Sequence, residues 1–340
     1  MKKIGVLGAG TWGMALARML SNSGHSVTVW SAIEKEIDEF SVTRRHPNLP
    51  GMEIPAEIGF TKDISAVCQG MDILLFAVPS VFVRATAKKA APYVQSGQVI
   101  VDVAKGIEAD TLFTMTQIIA DEIQNPEVAL VALSGPTHAE EVAKDMPTTI
   151  VSASHDEKAA LLVQEVFSNA CMRVYTNEDV EGVELCGALK NVIALAAGVA
   201  TGYGCGDNAK AALITRGMAE IARLGVAMGC REQTFGGLAG IGDLIVTATS
   251  QHSRNNRCGM LLGQGVPAGE ATAKVGMVVE GIHALPAAVR LKEKYRVEMP
   301  IVETVDAVVK GEISVAEAVK NLMSRGQKTE LPPAALDNHY

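Results

Sequence analysis

Three glycines near the N-terminus, in the spacing G-x-G-x-x-G, narrow the range of possible folds more than any other part of this chain. Gly8, Gly10 and Gly13 lie in "GVLGAGTWGMALA", directly after a β-branched run and at the start of a helical pattern. In such a unit the first glycine permits a tight turn, the second lets the backbone approach a pyrophosphate, and the third lets helix and strand pack closely. The context predicts a dinucleotide-binding unit, with a ligand-free tight turn as the alternative.

Short β-branched runs alternate with helical patterns through the first half of the chain. The predicted strands are residues 3–8, 26–30, 57–61, 72–79, 98–103, 128–133, 148–153 and 172–176. Helical stretches of about 10–15 residues separate most of them, which indicates crossover units on a mainly parallel sheet. After about Glu178 the strand pattern ends and helical patterns follow.

The expected fold is therefore α/β. We predict a Rossmann-type, doubly wound, mainly parallel sheet over residues 1–180 that binds the dinucleotide. An all-helical domain that supplies substrate-binding and catalytic groups is predicted over residues 181–340, and its polar, proline-containing tail at 326–340 is expected to fray.

Composition limits the partners of the protein. The formal net charge of −8 argues against a general nucleic-acid or anionic-membrane surface, because that kind of affinity comes from clustered Lys and Arg. The six cysteines lie far apart and never at CxxC spacing, which favours free thiols over a disulfide framework or a metal site. Glycines cut the N-terminal apolar run, unlike a signal peptide, and polar residues interrupt the apolar stretch 185–206, unlike a membrane span. We expect a cytoplasmic protein with a small-molecule substrate.

The end of the second predicted strand bears on which dinucleotide is bound. In NAD-binding units an acidic residue at this point binds the ribose 2′-hydroxyl. Here Ser31 occupies the tip, and the first carboxylate is Glu34. A 2′-phosphate would then not be repelled, and Ser31 with Lys35 or with residues 44–45 could meet it, although these basic residues equally fit a solvated face. We expect NADP or NAD as the cofactor, with NADPH favoured and no metal.

Polar residues follow other predicted strands as well. Ligands of open parallel sheets bind beyond the carboxyl ends of the strands, so Lys105, which follows the fifth predicted strand, is expected in the cleft. Gly135 and Thr137 follow the sixth strand and are candidates for substrate binding. An ordinary turn in which Thr137 caps a helix explains that segment equally well.

A single charged residue, Lys190, lies in the apolar run "LCGALKNVIALAAGVATGYGCG" at 185–206. A lysine on an apolar helix commonly extends its ammonium to water. No other charge occurs between Glu184 and Asp207, however, and burial in such surroundings lowers the pKa of a lysine toward the range useful for proton transfer. We interpret Lys190 as a general acid/base acting on a carbonyl–alcohol pair.

A second polar region, "GIGDLIVTATSQHSRNNRCG", lies in the helical half. Asp243 and Thr247 are four residues apart, so a helix would put both on one face, where they could orient Lys190 or the substrate. The cluster from Ser253 to Arg257 follows, and its hydroxyl, amide and guanidinium groups would suit an anion, with Arg254 able to bond a phosphate bidentately. A simple polar loop remains the alternative for this cluster.

Taken in order, these segments resemble the bacterial type of NAD(P)-dependent sn-glycerol-3-phosphate dehydrogenases. The similarity runs from "GAGTWGMALA" through "AKGIE", "SGPTHAEEV", "GALKNVIALAAG" and "GDLIVTATSQHSRNNRCG" to "VVEGIHA" and "EMPIVE". It implies reversible hydride transfer between NAD(P)H and dihydroxyacetone phosphate, which gives glycerol 3-phosphate for phospholipid synthesis, and commonly a homodimer.

The resemblance also implies roles for individual residues. It makes Lys190 the proton donor or acceptor. The family's substrate positions fall on Lys105, Gly135, Thr137, Asp243, Ser253, Arg254 and Asn255. Its cofactor positions fall on Thr11, Trp12, Lys105, Ala139, Arg254, Val278 and Glu280.

Two other functions are weighed against this one. A related dehydrogenase acting on 3-hydroxyacyl-CoA or 3-hydroxy acids would favour a His–Glu pair or a different lysine context, and would leave residues 253–257 without an evident role. A non-catalytic dinucleotide sensor could dispense with Lys190 and Asp243, and this chain has both.

Overall fold

A computed structural model of the protein describes residues 1–327 and 329–330. All eight predicted strands are confirmed, with most ends shifted by one or two residues. They are β1 Lys3–Leu7, β2 Ser26–Trp30, β3 Gly59–Thr61, β4 Ile73–Phe76, β5 Val99–Asp102, β6 Ala129–Ser134, β7 Thr148–Ala153 and β8 Met172–Asn177.

The strands form one sheet in the order β3-β2-β1-β4-β5-β6-β7-β8. Every neighbouring pair is parallel except β6 and β7, which are antiparallel. The strand order reverses between β1 and β4, and in doubly wound sheets this switch point opens a crevice at the carboxyl ends of the strands. The first six strands have the order of a dinucleotide-binding sheet, so the predicted class of fold is confirmed.

Apolar side chains cover both faces of the sheet, which explains why the central strands are continuous apolar runs. The helices that pack on it are α1 Thr11–Asn22, α2 Glu34–Thr43, α3 Ile64–Cys68, α4 Val83–Ala90, α5 Met115–Ile123, α6 Ala139–Val142 and α7 Glu157–Phe167.

No strand follows Asn177 within the described residues. The helices there are α8 Val180–Tyr203, α9 Asp207–Ala227, α10 Glu232–Phe235, α11 Asp243–Thr249, α12 Arg254–Gly263, α13 Ala268–Val275, α14 Glu280–Tyr295, α15 Pro300–Lys310 and α16 Val315–Met323. Most of the predicted tail, residue 328 and residues 331–340, lies outside the described residues.

Helix α8 is the centre of the helical half. The Asp179 carboxylate caps its start by accepting a hydrogen bond from the Gly182 N–H, and Gly204 ends it in the left-handed conformation at φ 96°. Among the described helices, α8 alone is long and apolar enough to cross a membrane, and 94% of its most apolar window is buried inside the protein. Its apolar character is therefore that of a core helix.

Helix α12 lies directly against α8 because glycines remove the side chains between them. A Cβ on Gly198 would lie 2.2 Å from the Asn256 carbonyl oxygen, and a Cβ on Gly259 would lie 2.2 Å from the Leu195 carbonyl oxygen. The two backbones are thus in contact, and the first turn of α12 also reaches the residue after Lys190 through the bond from Asn255 to Asn191.

Candidate active site

A cleft of about 440 Å³ opens at the carboxyl ends of β1, β4 and β5 and is closed on its other side by α8, α11 and α12. It brings together twelve of the residues singled out from the sequence. They are Gly10, Thr11, Trp12, Lys105, Thr137, Ala139, Lys190, Thr247, Ser253, Arg254, Asn255 and Glu280.

The glycine turn after β1 has room for a ligand. Gly8 has φ 123°, and a Cβ there would lie 2.6 Å from the Ala77 carbonyl oxygen, so both its conformation and its packing require glycine. At Gly10, by contrast, a Cβ would meet no atom within 4 Å, and Gly10 caps the N-terminus of α1. The Thr11 hydroxyl is buried and has no hydrogen-bond partner within the described chain. An open backbone cradle at a helix N-terminus with an unused hydroxyl fits a pyrophosphate.

Lys190 is buried at the base of the cleft, with 4% of its surface exposed. Its Nζ donates hydrogen bonds to Asp243 Oδ1 and, over 2.6 Å, to Thr247 Oγ1. Asp243 is 1% exposed and begins α11, and Thr247 lies one turn further along the same helix. The spacing prediction for Asp243 and Thr247 is thus confirmed, and both side chains hold the lysine.

Burial lowers the pKa of Lys190 to about 7. The Asp243 carboxylate opposes that effect and the Lys105 charge adds to it. Burial acts to raise the pKa of Asp243, but Lys105 and Lys190 outweigh it, so the pKa of this carboxyl lies below its ordinary value. Near neutral pH the site therefore holds an ionised aspartate beside a lysine that can gain or lose a proton.

Lys105 joins the end of β5 to this pair. Its Nζ donates to Asp243 Oδ2 over 2.7 Å and to the Gly135 carbonyl oxygen over 3.0 Å. The Thr137 hydroxyl donates to the same carbonyl over 3.1 Å. Lys105 and Thr137 thus line one side of the cleft, whereas Gly135 is not among the lining residues and supplies only the carbonyl that both side chains bond.

The cluster from Ser253 to Arg257 is the start of a helix and not a loop. The Ser253 hydroxyl caps α12 by accepting from the Asn256 N–H. The Asn255 side chain donates to Asn191 Oδ1 over 2.9 Å and accepts from the Gly281 N–H over 2.8 Å. Both side chains are thus bonded within the protein, whereas the Arg254 guanidinium lines the cleft and no partner for it is found in the described part of the chain.

The structure corrects the interpretation of the β2 tip. Ser31 is 6% exposed, and its hydroxyl donates to Glu36 Oε2 over 2.6 Å, so a carboxylate does lie at the tip. The Arg44 guanidinium donates to the backbone carbonyl oxygens of Pro55 and Ile58. The premise that no acid lies at this point is therefore wrong, whereas contact of a 2′-phosphate with Ser31 and Lys35 or residues 44–45 stays a prediction.

Of the remaining predicted cofactor residues, Glu280 lines the cleft, whereas Val278 and Gly13 do not. Glu280 begins α14, and its carboxylate accepts from the Ser80 N–H over 3.2 Å and from the Ser80 hydroxyl, which links the two halves of the chain. Val278 is half-buried just before Glu280 and is not among the lining residues. Gly13 packs against the Gly8 backbone behind the turn.

Several lining residues were missed from the sequence. They are Asn48, Ala77, Val78, Pro79, Val103, Ala104, His138, Glu140, Asn191, His252 and Met277, while Arg257, which also lines the cleft, belongs to the predicted cluster. His138 follows Thr137, and burial, helped by the Lys190 charge, lowers the pKa of its ring. The ring Nε2 is buried and has no partner in the described part of the chain. Its place in "SGPTHAEE" after a strand was the one signal for it.

The sheet has dinucleotide-binding topology, the phosphate cradle is open, and Lys190 lines the cleft while the buried Asp243 holds it from behind. Together these features define a nicotinamide-dinucleotide-dependent oxidoreductase. The model of the NAD-dependent glycerol-3-phosphate dehydrogenase N-terminus matches residues 3–160, and that of the C-terminus matches residues 179–320. The chain belongs to the NAD-dependent glycerol-3-phosphate dehydrogenase family.

Individual relatives agree with this assignment. The chain is 65% identical over 335 residues to glycerol-3-phosphate dehydrogenase [NAD(P)+] 2 of Lactobacillus delbrueckii subsp. bulgaricus, covering 97% of this chain and 99% of that protein. It is 52% identical to glycerol-3-phosphate dehydrogenase [NAD(P)+] of Agathobacter rectalis, over 97% and 98% of the two chains. The crystal structure of the Coxiella burnetii enzyme superposes with a TM-score of 0.91 at 34% identity, covering 95% of this chain and 99% of that one.

Proposed function

We propose that the cleft interconverts sn-glycerol 3-phosphate and dihydroxyacetone phosphate with NAD(P)(H), and so supplies glycerol 3-phosphate for phospholipid synthesis. The observation that supports this function most is the buried Lys190–Asp243 pair at the switch point of the sheet. An alcohol–ketone interconversion needs a group that takes or gives a proton at the reacting oxygen, and Lys190 is such a group.

Lys190 is the general acid/base of this reaction. In its neutral form its Nζ takes the proton of the C2 hydroxyl of glycerol 3-phosphate, and in its ammonium form it gives a proton to the ketone oxygen. Thr247 and Asp243 hold Nζ in place, and Lys105 keeps Asp243 ionised. A nicotinamide dinucleotide held by Gly10, Thr11 and Trp12 would supply the hydride acceptor for the alcohol and the hydride donor for the ketone.

Arg254 holds the substrate phosphate. It is the first residue of α12, so its guanidinium lies beside the positive end of a helix, where anions are favoured. Thr137, Ser253 and Asn255 border the same space, with Asn255 held by Asn191. The role of Arg254 at the cofactor and the cofactor contacts of Ala139, Val278 and Glu280 stay predictions.

We assign residues 1–180 to dinucleotide binding and residues 181–340 to substrate binding and catalysis, because the last strand ends at Asn177 and α8 begins at Val180. A cytoplasmic location and a homodimer stay predictions that rest on composition and on the family. The expected NADPH preference assumed that no carboxylate lies at the β2 tip, but the Ser31 hydroxyl donates to Glu36 there.

Purified protein is expected to oxidise NADH or NADPH when dihydroxyacetone phosphate is added, seen as loss of nicotinamide absorbance. Dihydroxyacetone and an acetoacetyl thioester serve as comparison substrates, since they lack the phosphate or belong to the rival class of dehydrogenase. Absence of turnover with dihydroxyacetone phosphate, or faster turnover with the thioester, contradicts the proposed function.

Initial rates are expected to follow the titration of Lys190, whose pKa burial lowers to about 7. Oxidation of glycerol 3-phosphate needs the neutral amine, so its kcat/KM should rise through about pH 7, whereas that of ketone reduction should fall through the same range. Rates in both directions across about pH 5.5–9.5 check this.

Asp243→Asn provides the control for that profile. It removes the carboxylate that raises the pKa of Lys190, so the inflection should move to lower pH while the slower enzyme stays folded. An inflection that is the same in wild type and Asp243→Asn would assign the titration to another group.

A further inference from the structure

The turn after β2 is where a dinucleotide of this fold places its adenosine ribose. The strand lies beside β1 in parallel register, from Lys3 opposite Ser26 to Leu7 opposite Trp30, and the Gly8 N–H donates to the Trp30 carbonyl oxygen. The glycine cradle and the end of β2 are therefore rigidly connected. A ribose whose pyrophosphate sits at the N-terminus of α1 has its 2′-oxygen at this end.

Ser31 and Glu36 form a fixed pair at this point. The Ser31 hydroxyl accepts from the Ile33 N–H over 3.1 Å and donates to Glu36 Oε2 over 2.6 Å. The backbone bond from the Glu36 N–H to the Ile33 carbonyl oxygen, over 2.9 Å, sets the first turn of α2. A carboxylate has about four lone-pair sites, so Glu36 can accept another hydrogen bond beside that from Ser31.

The charges of the nearby basic side chains Lys62 and Arg44 do not neutralise the negative charge of Glu36. Lys62 lies 2.8 Å from Asp38 and 3.6 Å from Glu34, so two other acids share its charge. The Arg44 guanidinium is bound to backbone carbonyls and lies over the Phe60 ring, 5.2 Å from its centre.

Two exposed basic residues remain. Lys35 is adjacent to Glu36 in the helix, and consecutive helical residues do not face each other. Arg45 lies beyond the far end of the ten-residue helix α2, roughly 15 Å from its first turn.

We propose that the Ser31–Glu36 pair accepts the 2′-hydroxyl of NAD(H) and excludes the 2′-phosphate of NADP(H), so that this enzyme prefers NADH. The 2′-hydroxyl donates a hydrogen bond to the Glu36 carboxylate, and an ionised 2′-phosphate has no proton to donate. A 2′-phosphate would put a dianion against a carboxylate that Ser31 holds in place. This inference rests on the proposed use of a nicotinamide dinucleotide, and it reverses the preference expected from the sequence.

Direct binding tests the proposal without turnover. The sequence has two tryptophans, of which Trp12 lines the cleft, so quenching of protein fluorescence by NADH and by NADPH gives both Kd values. We expect NADH to bind about tenfold more tightly or better. Equal or tighter binding of NADPH by the wild-type protein overturns the proposal, with no variant needed.

Glu36→Gln should then reduce the preference for NADH by about tenfold, so that the ratio of Kd for NADPH to Kd for NADH falls, chiefly because NADPH binds more tightly. Glu39→Gln removes the same charge from an exposed position of the same helix and is expected to leave the ratio unchanged. If both variants change the ratio equally, general charge and not the pair at Ser31 sets the preference, and the proposal fails. Loss of dihydroxyacetone phosphate turnover with both nucleotides would instead overturn the proposed function and leave the binding ratio to decide this one.

Discussion

Lys190→Met should lower turnover of dihydroxyacetone phosphate by about 10²–10⁴-fold while the protein stays folded and binds its nucleotide. The substitution removes the one group bonded to both Asp243 and Thr247 that can carry the proton. It leaves no unpaired buried charge, because Asp243 keeps its bond to Lys105. The thioether fills most of the buried volume, so packing around α8 changes little.

Steady-state rates, circular dichroism and nucleotide Kd values check this expectation together. Lys88→Met, at an exposed position of α4, is the matched control and should retain wild-type turnover. The residual rate of Lys190→Met should also lose the inflection near pH 7. Near-normal turnover by the folded, nucleotide-binding variant would exclude Lys190 as the acid/base.

The fold could be predicted from the sequence because its signals are local. Each strand is a short apolar run between turn residues, and Gly8 marks the crossover that fixes the first unit. The pairing of Asp243 with Thr247 was equally accessible, since helical spacing alone puts them on one face. Lys190 could be recognised because it is the only charged residue in an apolar run, and burial of an ammonium group is costly unless other groups hold it.

Contacts that depend on side-chain direction could not be predicted in this way. The bond between Ser31 and Glu36 requires the turn before α2 to bring the helix back over the strand end. The bond between Asn255 and Asn191 joins residues 64 apart and requires the packing of α12 on α8. In both places the sequence showed which polar groups were present, but only the fold determined which of them were already occupied.

Arg254→Ala should cost at least ten- to a hundredfold in kcat/KM for dihydroxyacetone phosphate. A bidentate, charge-assisted contact with a phosphate stabilises by about 1.5–3 kcal/mol, and more where water is excluded, which converts to a rate loss of this size. The guanidinium lines the cleft and is not bonded to any described side chain, whereas Ser253 and Asn255 are held by other groups. The loss should be small with unphosphorylated dihydroxyacetone, which lacks the group that Arg254 binds.

Arg254→Lys separates charge from geometry at this position. Lysine keeps the positive charge but loses the planar fork, so most of the loss should remain.

Arg257→Ala is the informative comparison, because Arg257 lines the same cleft one turn along α12 and is the other arginine that could hold the phosphate. With both ketones measured at saturating nucleotide, a larger loss for Arg257→Ala than for Arg254→Ala would place the phosphate on Arg257. Wild-type kcat/KM in both Arg254 variants would show that Arg254 does not hold the phosphate. A loss confined to the phosphorylated ketone fixes the orientation of the substrate, with its phosphate at α12 and its C2 oxygen at Lys190.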